Sequence, residues 1–373
     1  MSITTNTPIV DLSHLKHVPV LVITNAIEVK SFPQRVDKLF CNGNNLVSLP
    51  KLPRGLTHLD CSQNRLLSLP QLPRELTYLN CSNNSLTSLP DLPQGLLKLT
   101  CNTNNLTSLP DLPQGLLKLY CNRNKLESLP TLSQDLTELF CSMNLLQTLP
   151  TLPTSLKELN CYDNSLTSLP DLPHGLPTLY CGFNRLQSLP KLPIGLIDID
   201  CSNNQLSSLP DLPQGLLDLN CTNNQLQSLP ELPSKLRYLN CYKNQLQSLP
   251  QLPQSLLELY CENNQLQSLP DLPEKLTDLN CGRNQLLSLP ELPQSLFRLS
   301  CEENQLQSLP DLPLGIIQIN CSFNKLQYLP ELPLGLKDLN CCYNQLESLP
   351  PLPQGLIHLN FIENKFPSNI NRW

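Results

Sequence analysis

A solenoid of stacked parallel strands, with extended return segments and little or no helix, is the fold class this sequence predicts. Three observations carry that expectation. A twenty-residue unit recurs without insertion or deletion from Cys41 to Asn360, asparagine fills the fourth place of every unit from Asn44 to Asn364, and two prolines hold fixed places in nearly every unit. A fixed period of this length marks a repeat architecture in which each unit packs on its neighbours.

The strand comes from the alternation in His58-Leu59-Asp60-Cys61-Ser62 and its equivalents, which turns Leu59 and Cys61 inward. One unit cannot bury its leucines alone. Stacked units share an apolar interior, and their strands form one curved parallel sheet on the concave side with a spacing of about 4.8 Å. The return segment has only nine residues between Leu46 and Leu56, two of them Pro50 and Pro53. Proline removes a helical hydrogen bond and pushes its predecessor towards extended backbone. The convex side is therefore expected to be extended or polyproline-like, with Leu69 and Leu72 turned inward. The asparagine series reads as a structural spine, because a buried amide can satisfy backbone groups left unpaired where the chain leaves the strand.

Three segments follow: residues 1–35 as an N-terminal cap or degenerate repeat, 36–360 as the solenoid, and 361–373 as a C-terminal partial repeat and cap. In the first, Val20-Leu21-Val22, Asn25 and Ile27 suggest a degenerate coil, with Phe32-Pro33 in the Leu-Pro place. No basic start precedes a long apolar core, so no secretory signal is expected, and the apolar run Val18 to Ile23 is too short to cross a membrane. In the array, Ser133 replaces the second proline of its unit, and Pro177 sits where a strand start tolerates it. Units from 201 to 350 are near copies, which points to internal duplication. Phe361, Phe366 and Trp373 are expected to plug the far end of the core, and so short a cap favours association through ends or edges.

Composition narrows the function. The net charge of −6 argues against a nucleic-acid partner. Sixteen of the seventeen cysteines occupy the inward place, one per coil, with no C-x-x-C pair, so they read as small buried hydrophobes rather than disulfides or zinc ligands. So many free thiols imply a reducing, cytoplasmic compartment. Cys342, beside Cys341, is expected to face out as the one readily modified thiol. No catalytic constellation, phosphate loop or cofactor motif stands out; of five scattered histidines, His14, His17 and His58 alone could meet.

Recognition must then use the places of 58, 60, 62 and 63 in each unit, which hold eight of the nine tyrosines and four of the eight phenylalanines. Aromatic residues on a solvent-facing sheet point to protein binding, although strand propensity and lateral stacking also place them there. The densest cluster is Tyr120, Phe140, Tyr162, Tyr180 and Phe183, with Met143 beside it. Charge is also uneven: Lys38, Lys98, Lys118 and Arg123 precede an acidic series that includes Asp198, Asp218, Glu258 and Asp278, an arrangement that suits a partner with a basic face.

The run Leu76-Thr77-Tyr78-Leu79-Asn80-Cys81-Ser82-Asn83-Asn84-Ser85-Leu86-Thr87-Ser88-Leu89-Pro90-Asp91-Leu92-Pro93 resembles the short bacterial-effector class of leucine-rich repeats. That class includes Yersinia outer protein M and the repeat domains of IpaH-type ubiquitin ligases. The regular cysteines and duplicated units are also similar to leucine-rich repeat proteins of amoeba-infecting giant viruses. The resemblance implies a non-enzymatic scaffold that binds other proteins, often host proteins in host cytoplasm. It leaves two other expectations: a structural or self-assembling repeat protein, and the substrate-recognition part of a ubiquitin ligase. Only Lys365 to Trp373 follow the repeats here, so the ligases' activity is not expected to carry over.

Overall fold

A computed structural model describes residues 2–366 and divides the chain into two units, Met1–Leu186 and Gln187–Trp373. Both are parallel β-solenoids, and no helix occurs among the described residues. In the first unit, β1 (Ser2–Asn6), β3 (His17–Thr24) and β5 (Arg35–Phe40) lead into the regular three-residue strands β6 (His58–Asp60), β7 (Tyr78–Asn80), β8 (Lys98–Thr100), β9 (Lys118–Tyr120), β10 (Glu138–Phe140), β11 (Glu158–Asn160) and β12 (Thr178–Tyr180). In the second, β13 (Asp198–Asp200), β14 (Asp218–Asn220), β15 (Tyr238–Asn240), β16 (Glu258–Tyr260), β17 (Asp278–Asn280), β18 (Arg298–Ser300), β19 (Gln318–Asn320), β20 (Asp338–Asn340) and β21 (His358–Asn360) follow in order. Pairing within the array is parallel with a register of one repeat, so Leu59 lies opposite Leu79 and Asp60 opposite Asn80. Equivalent residues therefore form rows, named below by their member in the unit of His58 to Gln63.

The core follows from the leucine and cysteine spacing. Leu46, Leu56, Leu59 and Cys61 have no exposed surface and their equivalents are buried as far as Leu346, while Leu69 and Leu72 close the outer side. All seventeen cysteines are buried and unbridged. Outside the strand the chain is extended, as the prolines demand, and a turn in which Pro73 accepts the Leu76 N–H at 3.2 Å brings it back.

The asparagines join coil to coil. Asn64 Oδ1 accepts the Leu46 N–H at 3.0 Å, and its Nδ2 donates to the carbonyls of Cys41 at 2.8 Å, Cys61 at 3.1 Å and Ser62 at 3.1 Å. One amide thus serves its own turn and the preceding coil, and Asn124, Asn224 and Asn324 repeat the pattern. The residue before it holds a left-handed backbone in coil after coil, including Gln63 at φ 53°, Thr103 at 54° and Phe183 at 52°. This conformation turns the chain sharply out of the strand, although side chains with a Cβ disfavour it.

Three expectations need correction. Asn25 is not a rung of the ladder: it takes the left-handed place at φ 56°, and its amide donates to Asn6. Ala26 is the buried residue there, its N–H bonded to Asn44 Oδ1 at 2.7 Å, and Ile27 stands exposed. That coil is shorter than the rest, which moves every place after the strand. Cys342 does not face out. It is only 4 % exposed, in a row where the small side chains of Ser62, Ser82 and Ser322 are buried too. Burial pushes its thiol up, against a hydrogen bond with Ser322. The three histidines do not converge either: His17 lies 3.4 Å from Asp37, and His58 stacks on Tyr78.

The first thirty-five residues also carry a second small parallel sheet, β2 (Ile9–Asp11) with β4 (Glu28–Ser31), on the return side. Proline is absent from both strands, so their N–H groups are free to pair. Ser133 keeps a bond where its neighbours have proline, donating to the Gln114 carbonyl and accepting the Asp135 N–H at 3.1 Å. At the far end the Phe361 and Phe366 rings meet edge to face, 5.5 Å apart. Trp373 lies outside the described residues.

Two outcomes follow. Asn124→Ala strands the Leu106 N–H and the Cys101 carbonyl in the interior, a loss of about 3 kcal/mol in urea unfolding followed by circular dichroism. Asn124→Asp costs more, because it also buries a charge. Native protein at pH 8 gives no rapid labelling with a thiol reagent, Cys342 included, while denatured protein labels all seventeen. Burial raises thiols such as Cys41, Cys121 and Cys161 to about 12 from an ordinary 9.0. Their contribution to stability is therefore complete below pH 9 and is lost as pH rises towards 12, which urea midpoints across that range will show.

Candidate protein-binding face

The solvent side of the sheet is built from the rows of His58, Asp60, Ser62 and Gln63. Strand alternation turns the first two outward, and the left-handed bend throws the last one clear of the sheet. Side chains in the strand rows shield one another across a spacing of about 4.8 Å and are mostly half-buried, whereas the row of Gln63 is mostly exposed, with Asn203, Asn223 and Asn263 half-buried.

Within the first unit the structure brings the predicted aromatics together in two pairs. Tyr120 and Phe140, on neighbouring strands, have ring centroids 5.1 Å apart, and Tyr162 and Phe183 are 5.0 Å apart. In the row of Asp60, Asn160 stands between Phe140 and Tyr180. Asp163 holds the place between Met143 and Phe183 in the row of Gln63. Met143 and Phe183 are 37 % and 46 % exposed, while Tyr120, Phe140, Tyr162 and Tyr180 are half-buried. The six residues form two ring pairs with Met143 and Tyr180 beside them, interleaved with polar side chains.

The polar setting of Tyr120 was not visible in the aromatic count. Its hydroxyl donates to Glu138 Oε2, and Lys118 Nζ meets Glu138 Oε1 at 2.5 Å. Lys98 Nζ lies 5.1 Å from the Tyr120 ring and 5.5 Å from the Tyr78 ring, within cation–π range. Burial favours the neutral form of Glu138, but the bonds from Lys118 and Tyr120 outweigh it and hold the carboxyl below its usual range. Burial and Glu138 both push the Tyr120 hydroxyl above its ordinary value, so it stays protonated at neutral pH. The signal was present in the sequence, since Lys98, Lys118 and Glu138 share one row on three successive strands.

In the second unit Phe323 and Tyr343 stack at 4.3 Å in the row of Gln63, and Tyr238 pairs with Tyr260 at 5.7 Å. Sequence reasoning also passed over apolar residues on the return turns: Leu314 and Leu334 are 83 % and 87 % exposed at a place filled by glutamine in many coils. These surfaces offer rings, methyls and a few fixed charges, a chemistry suited to contact with another protein.

No family model and no curated protein sequence matches the chain. Solved structures do. YopM from Yersinia enterocolitica is 39% identical over 94% of this chain and 84% of that one, with a TM-score of 0.87. YopM from Yersinia pestis, described as a leucine-rich effector protein, is 36% identical over 87% and 88% of the two chains, with a TM-score of 0.68. The functional domain of InlJ from Listeria monocytogenes, described as including a cysteine ladder, is 27% identical over 73% of this chain and 69% of that one, with a TM-score of 0.58. The repeat, its asparagine rungs and this likeness together place the chain in the YopM-like family of leucine-rich repeat effector proteins.

Proposed function

We propose that the chain is a non-enzymatic scaffold that binds other proteins through the solvent side of its sheet, directed at host proteins in a reducing cytoplasm. The observation that carries this reading is the exposed pairing of Phe183 with Tyr162, with Met143 two places from Phe183 in its row, on a left-handed backbone that favours smaller residues. Rings that are half-buried and held by neighbours lose little side-chain freedom on binding, the property that makes tyrosine and phenylalanine effective contact residues. The contact surface comprises Tyr120, Phe140, Met143, Tyr162, Tyr180 and Phe183. The likeness to YopM, itself described as an effector, supports the host-directed part.

Self-assembly is the second reading. β1 pairs with β3 alone among the described residues, and the segment from Ser2 to Val10 carries no charge to discourage pairing at its other edge. Light scattering after size exclusion separates the two: a mass of 41.9 kDa at every concentration removes self-assembly.

The scaffold reading is tested by quantitative recovery of proteins from host-cell lysate on immobilised wild type and on Tyr120→Ala/Phe140→Ala/Phe183→Ala. The triple variant is expected to keep its circular dichroism spectrum and to lose at least about tenfold of specific recovery, as hot-spot removal does. Equal recovery by the two proteins sinks the proposed contact surface.

A further inference from the structure

The two units treat their surface carboxylates differently. Residues 1–186 contain fourteen Lys and Arg against thirteen Asp and Glu, while residues 187–373 contain eleven against eighteen. In the first unit the rows of His58 and Asp60 supply their own cations: Lys98 lies over Tyr78 and Tyr120, and Lys118 pairs with Glu138. Across β13 to β17 the row of His58 reads Asp198, Asp218, Tyr238, Glu258, Asp278, and the row of Asp60 adds Asp200 and Tyr260. Neither row holds a lysine or arginine over these five strands. The register sets Asp198 beside Asp218 and Glu258 beside Asp278, like charges on neighbouring strands, an arrangement that costs stability.

Asp278 and Glu258 have partners within the unit. Arg298, on the next strand, pairs with Asp278 at 2.6 Å. Among the described residues, Glu258 accepts only the Tyr260 hydroxyl at 2.9 Å as a side-chain bond, and no ion pair reaches Asp218. Burial, then Asp198, lifts the Asp218 carboxyl above its ordinary range; Arg237, at the strand entry, pulls against them, and Glu258 adds to the rise. Between these carboxylates stands the Tyr238–Tyr260 pair, the same kind of ring that takes Lys98 in the first unit.

We propose that this face of β13 to β17 holds an extended, lysine- or arginine-bearing segment of a partner protein, with one cation over the Tyr238–Tyr260 rings and others at Asp218 and Glu258. The proposal rests on the protein-binding reading but uses second-unit residues alone. Asp218 and Glu258 are two strands apart, roughly 10 Å, too far to share one metal ion but suited to separate cationic side chains. The row from Asp198 to Asp278 spans roughly 19 Å, about six residues of extended chain. An ammonium or guanidinium here gains both ring and carboxylate contacts, and nucleic acid is repelled.

Fluorescence anisotropy of a labelled dodecapeptide of alternating lysine and glycine, titrated with the full chain at low salt, tests the proposal. Asp218→Asn/Glu258→Gln is expected to weaken binding at least about tenfold. Asp211→Asn/Glu231→Gln, which removes equal charge from exposed return segments, is expected to leave it within about twofold. Tyr260→Leu weakens it severalfold with net charge unchanged. The inference is overturned if wild type does not bind the peptide, if the two charge variants weaken it equally, or if spermine displaces it at equal concentration. Circular dichroism confirms that each variant is folded. Because the lysate recovery test alters only Tyr120, Phe140 and Phe183, either test can fail while the other succeeds.

Discussion

A side-chain amide that bonds two coils at once is the constraint from which the rest of this architecture follows. A three-residue strand satisfies few backbone groups, and the chain must then turn inward with its carbonyls unpaired. Asn64 answers this by accepting from Leu46 and donating to Cys41, Cys61 and Ser62. Glutamine would place its amide one methylene too far, and aspartate lacks the donors. The rung also fixes the register, because its acceptor and one of its donors reach the preceding coil. With register fixed, the twenty-residue period becomes compulsory, and leucine stacks on leucine and sulfur on sulfur without further specification.

That regularity turns sequence into rows. A residue in a parallel, in-register sheet lies about 4.8 Å from its equivalents on either side, so duplication of a unit also duplicates its charge beside itself. The first unit offsets this with Lys98, Lys118 and Glu138 in one row, which form a ring-and-ion network around Tyr120. In the second unit, Asp198 and Asp218 lie side by side, and their row holds no lysine or arginine from β13 to β17. Like-charge pairs of this kind are a liability to folding, and their concentration on the solvent side of one sheet marks a surface whose composition is not set by stability alone.

Most of the fold was legible because period, proline and asparagine each forbid the alternatives. Two prolines in nine residues exclude a return helix, and the inward place of cysteine follows from the alternation around Leu59. What escaped lies where local backbone departs from that alternation. Cys342 was read as outward because it follows an inward residue, yet beside the left-handed bend at Tyr343 it is buried, as Ser62, Ser82 and Ser322 are in the same row. Asn25 was read as a rung because its residue type matched, whereas the shorter coil hands its place to the left-handed bend. The aromatic positions were readable from their places, but their pairing was not: which rings touch depends on rotamers and on polar residues such as Asn160 and Asp163 between them.

The left-handed row shows how such a scaffold separates folding from recognition. From Gln63 onward each coil holds φ near 50–60° at this place, and asparagine, as at Asn83, Asn203 and Asn223, meets the need with little strain. Phenylalanine, methionine, threonine and tyrosine at the same place are harder on the backbone, and in the core they contribute nothing, since the bend aims them into solvent. Asn263 and Phe183 hold nearly the same dihedral, so the fold accepts either side chain. The residues that appear there instead of asparagine are free of packing constraints, and this is where a solenoid with an invariant interior can change what it binds without changing how it folds.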